Sequence, residues 1–504
     1  MNKIISTISL SILLIASCNN KTDEHGHEHG LEPLTYTLYS DKSEIFVEFK
    51  PLIVGSVSKF AAHFTILGEK FLPLTEGSVT VSLIVDGKGL KQTTDTPSVP
   101  GIYPLSLKPT TAGTGKLVFN INTKNFTDEI TIDNVKVYTD EKTALAEQPE
   151  ESGSSDITYL KEQAWKVEFA NAPVKKQAFS NIIKTSGQIL SAPGDEMIVS
   201  AKANGIILFT GNKTIIGSAV NEGTALFTIT GGDLAEGNID ANYKEAKANF
   251  EKSKTDFDRA KELVKDKIVS EKDFQETKLK FDNAQTAFNT IAKNYSANGQ
   301  TVSSAMNGFV KNIFVGEGQF VEAGTPLATI SKNKKLILQA NVSQKYFNNL
   351  SAITSANFKT TDNEKVYSTQ ELNGKVISYG KSASANSPFI PVTFEIDNIP
   401  SETGQASNII SGSVAEVYLK SFPIPDAMVI PVSSLIEEQG NFFVYVQTEG
   451  EKFQKREVKL GASDGINVQV ISGVTEGERV VTKGAYQIKL SQASGTMPAH
   501  GHEH

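Results

Sequence analysis

The sequence predicts a mainly β, multidomain chain in which one β unit is split by an antiparallel α-helical hairpin. Three observations carry that prediction. The chain has 504 residues, more than one hydrophobic core normally serves. Two Gly-punctuated apolar segments, 203–227 and 308–328, repeat one pattern: a Gly, an apolar strand, then Val220-Asn221-Glu222-Gly223 or Val321-Glu322-Ala323-Gly324, then a short strand. Between them, apolar residues recur at alternating three- and four-residue steps, the seam of a coiled coil.

The N-terminus comes first. Met1-Asn2-Lys3 supplies a positive charge, residues 4–16 are apolar apart from small polar residues, and Ser17-Cys18 closes the run beside the only cysteine in the chain. This is the form of a secretory signal. Its end resembles the bacterial lipobox, which makes Cys18 the lipidated first residue of the mature protein. No later window has the about 18 apolar residues of a spanning helix, so the expectation is a protein anchored to a membrane rather than embedded in it.

Six of the seven histidines fall near the two ends: His25, His27 and His29 after Cys18, and His500, His502 and His504 at the close. Imidazoles alternating with Gly and Glu suit weak, adaptable chelation of a borderline cation such as Zn²⁺, Co²⁺, Ni²⁺ or Cu²⁺. The net charge of −8 argues against nucleic acid as a partner.

Residues 31–137 read as β-sandwich, with Val79, Val81, Leu83 and Val85 sharing one face of a strand and turns at Asp86-Gly87, Pro100-Gly101 and Ala112-Gly113. His63 lies in a strand run there, where a structural role is the expectation. Residues 138–156 read as a linker. In 157–200, Trp165 is expected to anchor a core, and the strands that follow are expected to pair with later chain.

The insert, 233–295, follows. Tyr243, Ala246, Phe250, Ser253, Phe257, Ala260 and Val264 form one seam, and Phe274, Thr277, Phe281, Ala284, Phe288 and Ile291 the other. Charged residues such as Lys244, Glu245, Lys247 and Glu251 fill the remaining faces, so the hairpin is expected to project. Ser270 can cap the returning helix, with Asp273 at N3 in an Asp version of the capping box. Two arms of about 25 residues at about 1.5 Å each give a length of about 37 Å. The Gly residues of the flanking halves, Gly205, Gly223, Gly308, Gly316, Gly318 and Gly324, are read as turn positions needing positive φ. Further β regions follow at 333–422, read as a small barrel with a short helix at 343–350, and at 423–490.

Catalytic motifs are scarce. There is no GxxxxGK[ST], no HExxH, no second cysteine, and only His63 outside the tails, so no catalytic residue is expected.

The Gly-bracketed halves around a coiled-coil hairpin resemble the split lipoyl-like domain of bacterial membrane fusion proteins, the periplasmic adaptors of RND-type efflux pumps, most of all the heavy-metal subgroup. The stretch 264–274 is similar to the family's channel-contacting tip, here Val264, Asp266, Ile268, Ser270 and Asp273. Val429-Ile430-Pro431, 453–461 and 470–481 are similar to the membrane-proximal domain of heavy-metal adaptors. The resemblance implies an elongated protein: signal peptide 1–18, His-rich tail 19–30, lipoyl-like halves 201–232 and 301–332, hairpin 233–295, β-barrel domain 333–422, membrane-proximal domain 423–490 and C-terminal tail 491–504. It implies a ring, a hexamer by family resemblance, that joins an inner-membrane RND transporter to an outer-membrane channel, in the periplasm of a Gram-negative bacterium, with no covalently bound cofactor. Where true lipoyl carriers have a modified lysine, this chain has the hairpin. Copper and silver adaptors of the family use N-terminal methionines. Here Met1, Met197, Met306, Met428 and Met497 are scattered, which favours transient Zn²⁺, Co²⁺ or Cd²⁺ over Cu⁺ or Ag⁺. Alternatives are an adaptor for copper or silver, one for an organic-drug or ABC exporter, and a free-standing metal-scavenging lipoprotein.

Overall fold

The computed structural model describes residues 31–148, 156–211, 214–232, 238–293, 295–296, 298–362, 364–381, 387–398 and 409–493. Cys18 and the six tail histidines lie outside them. The chain forms two compact units, one of Met1–Pro173, Ile436–Glu457 and Glu478–His504, the other of Val174–Leu435 and Val458–Gly477.

In the first unit, two antiparallel-rich sheets face each other. One carries Leu34–Tyr39, Ser43–Phe49, Ser58–Ile66, Leu72–Pro73 and Ile102–Leu107; the other carries Leu52–Ile53, Thr127–Tyr138, Gly113–Asn122, Ser78–Val85 and Lys88–Thr94. The alternation in Ser78–Val85 places Val79, Val81, Leu83 and Val85 in a shared core with Ile45, Val47, Phe60, Phe64 and Phe119. A two-residue side-chain period with one apolar face is what makes two sheets pack as a sandwich.

The same unit holds a second β module. Ala170–Pro173 pairs with Arg479–Lys483, which pairs with Asn441–Glu449, and Ile157–Thr158 pairs with the start of Lys452–Ser463. Its core is Tyr159, Phe169, Tyr445, Phe453, Val481 and Ile488, joined by Phe71 of the sandwich. Trp165 is buried as expected of an anchor. It sits against Gly101, where an added Cβ would fall 2.3 Å from the indole, and its Nε1 donates to Thr65 Oγ1 at 3.1 Å. The segment expected as linker differs from that reading in part. It contains a helix, Glu141–Ala146, because the Asp140 carboxylate accepts from Thr143 N and satisfies an otherwise unpaired first-turn amide.

In the second unit, Lys175–Ser191 and Val414–Pro431 form a long antiparallel pair, with Lys335–Ser343, Phe389–Asp397 and Lys375–Tyr379 on one side and Ser355–Thr360 and Val366–Ser368 on the other. They enclose Ile183, Ile189, Leu338, Phe358, Phe394 and Leu419. The short helix expected at 343–350 is a 3₁₀ helix, Gln344–Ala352.

The two Gly-bracketed halves interleave. Gly205–Phe209 of the first half pairs with Phe320–Val321 of the second, Ala219–Val220 with Gly308–Ile313, and Ala225–Thr230 with Gly299–Ser303. Ile207, Leu226, Phe227, Val302, Val310, Leu327 and Ile330 fill the core between them. Because Ala225–Thr230 and Gly299–Ser303 are hydrogen-bonded neighbours, the two ends of the insert are held side by side. The turn assignment for the glycines holds for Gly223, Gly318 and Gly324, at φ 83°, 82° and 93°. Gly316 opens a turn, its carbonyl accepting from Gln319 N at 3.2 Å, but without positive φ, and Gly308 lies in a strand. Gly308 is needed for closeness, since a Cβ there would lie 2.3 Å from the Ser331 carbonyl oxygen, and Gly316 has open space around it. Gly205 is also a close-approach position, 2.6 Å from the Thr230 oxygen to an added Cβ.

Candidate functional site

The insert folds as two helices, Ile239–Lys265 and Glu271–Ala292. Asn238 caps the first, its side-chain oxygen accepting from Asp240 N at 2.9 Å and Ala241 N at 3.2 Å. At its base, Asp240 ties both ends of the insert together. One carboxylate oxygen accepts from Thr230 Oγ1 and Gly231 N before the helix, and the other from Tyr295 OH at 2.6 Å after the return. Burial and the bond to Asp240 push the Tyr295 phenol up to about 12.

Along the seam the rings of the two helices alternate. Phe257 stacks between Phe274 at 5.8 Å and Phe281 at 5.0 Å. Phe250 stacks between Phe281 at 5.9 Å and Phe288 at 5.2 Å. Tyr243 then meets Phe288 at 5.7 Å and Tyr295 at 4.0 Å. Seven rings thus interlock, each worth about 0.5–1.5 kcal/mol per pair beyond the area it covers. Ala246, Ala284 and Ile291 are half-buried on the same stripe, and Ala260 is buried. The other faces are exposed, so the helices spend their apolar residues on each other.

The tip is built from backbone chemistry. Ile268 N donates to Leu263 O at 3.0 Å and Lys267 N to Val264 O at 3.1 Å, the paired bonds of a Schellman stop, with Lys267 at φ 63°. Ser270 Oγ then accepts from Asp273 N at 3.2 Å and donates to the Asp273 carboxylate at 2.7 Å. The capping box expected here is therefore altered: the shorter Asp side chain bonds the Ser270 hydroxyl, where a Glu would return to the backbone N–H. Asp266, Ile268 and Ser270 are exposed, with Ile268 at 68%, while Val264 is half-buried.

The structure also gathers residues that sequence reading left apart. On the outer face of the first sandwich sheet, Glu44 is fully buried and its carboxylate pairs with the buried Lys161 ammonium at 2.5 Å, while Tyr39 OH donates to it at 2.7 Å. Next to this pair, His63, Glu162 and Glu451 bring one ligand atom each within 4.8 Å of the others. Burial pushes the Glu451 carboxyl above the usual carboxylate range, partly opposed by the Lys161 N–H that donates to it at 2.6 Å. The one sequence signal was a charge, Glu44, and a histidine on alternate positions of adjacent strands beside the inward-facing apolar set.

The CzcB-like, alpha-helical hairpin domain family matches residues 238–297, and the CzcB C-terminal circularly permuted SH3-like domain family matches residues 428–489. The chain is similar to the nickel-cobalt-cadmium resistance protein NccB of Alcaligenes xylosoxydans xylosoxydans, 22% identical over 70% of this chain and 89% of that one. It is also similar to the macrolide export protein MacA of Yersinia pestis, 28% identical over 36% of this chain and 47% of that one. Among solved structures it is similar to ZneB from Cupriavidus metallidurans, at 23% identity and a TM-score of 0.33, over 66% of this chain and 97% of that one. The hairpin and the C-terminal domain, matched separately by two CzcB-like domain families, together support reading the chain as a membrane fusion protein of the RND efflux type.

Proposed function

We propose that this adaptor serves the export of divalent heavy-metal cations, linking an inner-membrane RND transporter to an outer-membrane channel through the tip of its hairpin. Adaptors of this family are periplasmic and are not enzymes. The observation that carries the docking role is the hairpin itself: its apolar residues are consumed in an internal aromatic seam, while Ile268 stands exposed at a rigidly capped turn. An exposed apolar residue at the end of such a turn suits a protein contact. Support for a metal cargo comes from the name of NccB and from the six histidines of the tails, which we propose capture the ion transiently. Zn²⁺, Co²⁺ or Cd²⁺ fits those imidazoles better than Cu⁺ or Ag⁺, for which the scattered methionines offer no thioether cluster. Lipidation of Cys18 and assembly into a hexameric ring complete the proposal.

The docking role is tested by placing single cysteines at Val264 and Ser270, with Cys18 kept because lipidation consumes its thiol, and crosslinking in cells. Capture of an outer-membrane channel is expected; crosslinks confined to copies of this chain would contradict it. The similarity to MacA supports a second reading, an adaptor for organic compounds. A deletion strain sensitive to dyes and detergents but not to metals would select that reading.

A further inference from the structure

We infer that His63, Glu162 and Glu451 form a binding site for one divalent cation of the zinc, cobalt or nickel kind within the folded first unit, separate from the tail histidines. The three residues come from a strand of the sandwich, the first turn of the short helix Lys161–Ala164, and the turn before Lys452–Ser463. Nothing in local sequence places them together. Their ligand atoms all lie within 4.8 Å of one another, and His63 Nε2 is 3.1 Å from Glu162 Oε1. Tetrahedral zinc with bonds of about 2.0–2.2 Å needs ligand atoms about 3.3 Å apart. One pair already meets that spacing, and the Glu451 oxygen lies within 4.8 Å of both members of it.

The surroundings hold the donors in place. The His63 ring stacks on Phe46 at 5.6 Å and lies 6.1 Å from Trp165. Gly450, next to Glu451, packs so tightly on Phe46 that an added Cβ would fall 2.1 Å from that ring. The Lys161 N–H fixes the Glu451 carboxylate at 2.6 Å, the outer-shell support that metal ligands generally have. Charge points the same way. The Lys161 ammonium pairs with Glu44, and two carboxylates converge on one imidazole beside it. A dication balances them. One imidazole and two carboxylates suit a borderline ion, with solvent completing the shell because Glu162 is 31% exposed, and do not suit Cu⁺ or Ag⁺. That such a site hands its ion onward rests on the proposed export function; binding does not.

The test uses the full chain with His25, His27, His29, His500, His502 and His504 all replaced by Ala, so that His63 is the sole histidine. Equilibrium dialysis against Zn²⁺ is expected to show one bound equivalent. Glu162→Gln, at a half-exposed position that leaves packing intact, and His63→Gln are each expected to weaken it at least tenfold, with circular dichroism unchanged in the Glu162 variant. Absence of stoichiometric Zn²⁺ binding, or equal binding by Glu162→Gln, would overturn the site. If Zn²⁺ binds as described while a deletion strain keeps its wild-type metal tolerance, the site stands and the export reading fails.

Discussion

At the scale of single residues, the buried ion pair of Glu44 and Lys161 makes the sharpest prediction. Two charges are removed from water and repaid by a 2.5 Å contact plus the Tyr39 hydroxyl. Removing one partner leaves an uncompensated buried charge, so Lys161→Met is expected to cost about 3–5 kcal/mol. The double variant Glu44→Leu/Lys161→Met restores charge balance and should recover most of that. Urea denaturation of the four members of the cycle measures it. Lys267 gives a prediction of opposite sign. It occupies the left-handed position of the Schellman stop at φ 63°, where a Cβ is unfavourable. Lys267→Gly is expected to stabilise the hairpin by about 1 kcal/mol, seen as slower amide exchange at Ile268 and Lys267's neighbours.

At the scale of elements, the hairpin stands or falls on its ring ladder. Phe257 is stacked on both sides, and Phe257→Ala removes two contacts at once. A half-buried seam position should lose somewhat less than a core phenylalanine, about 2–3 kcal/mol. Amide exchange across 239–292 should accelerate, while Ala225–Thr230 and Gly299–Ser303 stay protected, because their core of Leu226, Phe227, Ile229 and Val302 is elsewhere. Loss of protection in both together would mean that hairpin and β core unfold as one. The seam positions were legible in the sequence because a helix repeats every 3.6 residues and a stripe of Phe and Ala at steps of three and four cannot be a strand. What the pattern did not contain was the alternation of rings between helices. That depends on the register set by the turn at Asp266–Val269 and by the Asp240 clamp at the base.

At the scale of the whole molecule, the proposed metal cargo makes a prediction that no single domain can make. Replacing the six tail histidines is expected to lower tolerance of the host to zinc and cobalt several-fold, scored as minimal inhibitory concentration. Loss confined to copper or silver would instead place the chain with those adaptors. The strand alternation of the sandwich and the helical hairpin were readable because two-residue and 3.6-residue periods are local signals. The assembly inside the first unit was not. Ser43–Phe49 alternates Glu44, Phe46 and Glu48 against Ile45, Val47 and Phe49, the pattern of a strand with one wet face. Yet Glu44 and Phe46 are buried, because the second β module covers that face.

The amino-acid order by itself determined which residues turn inward in each strand and helix, since that is settled by backbone periodicity and the preference of apolar side chains to leave water. It did so for Val79, Val81, Leu83 and Val85 of the sandwich and for the coiled-coil seam. Only the tertiary structure decided what each remaining face would meet. His63 and Glu162 are 99 positions apart in the chain and 3.1 Å apart in space. Contacts of that kind arise when finished modules pack, and the free energy that selects them is spread over surfaces which no short stretch of sequence contains.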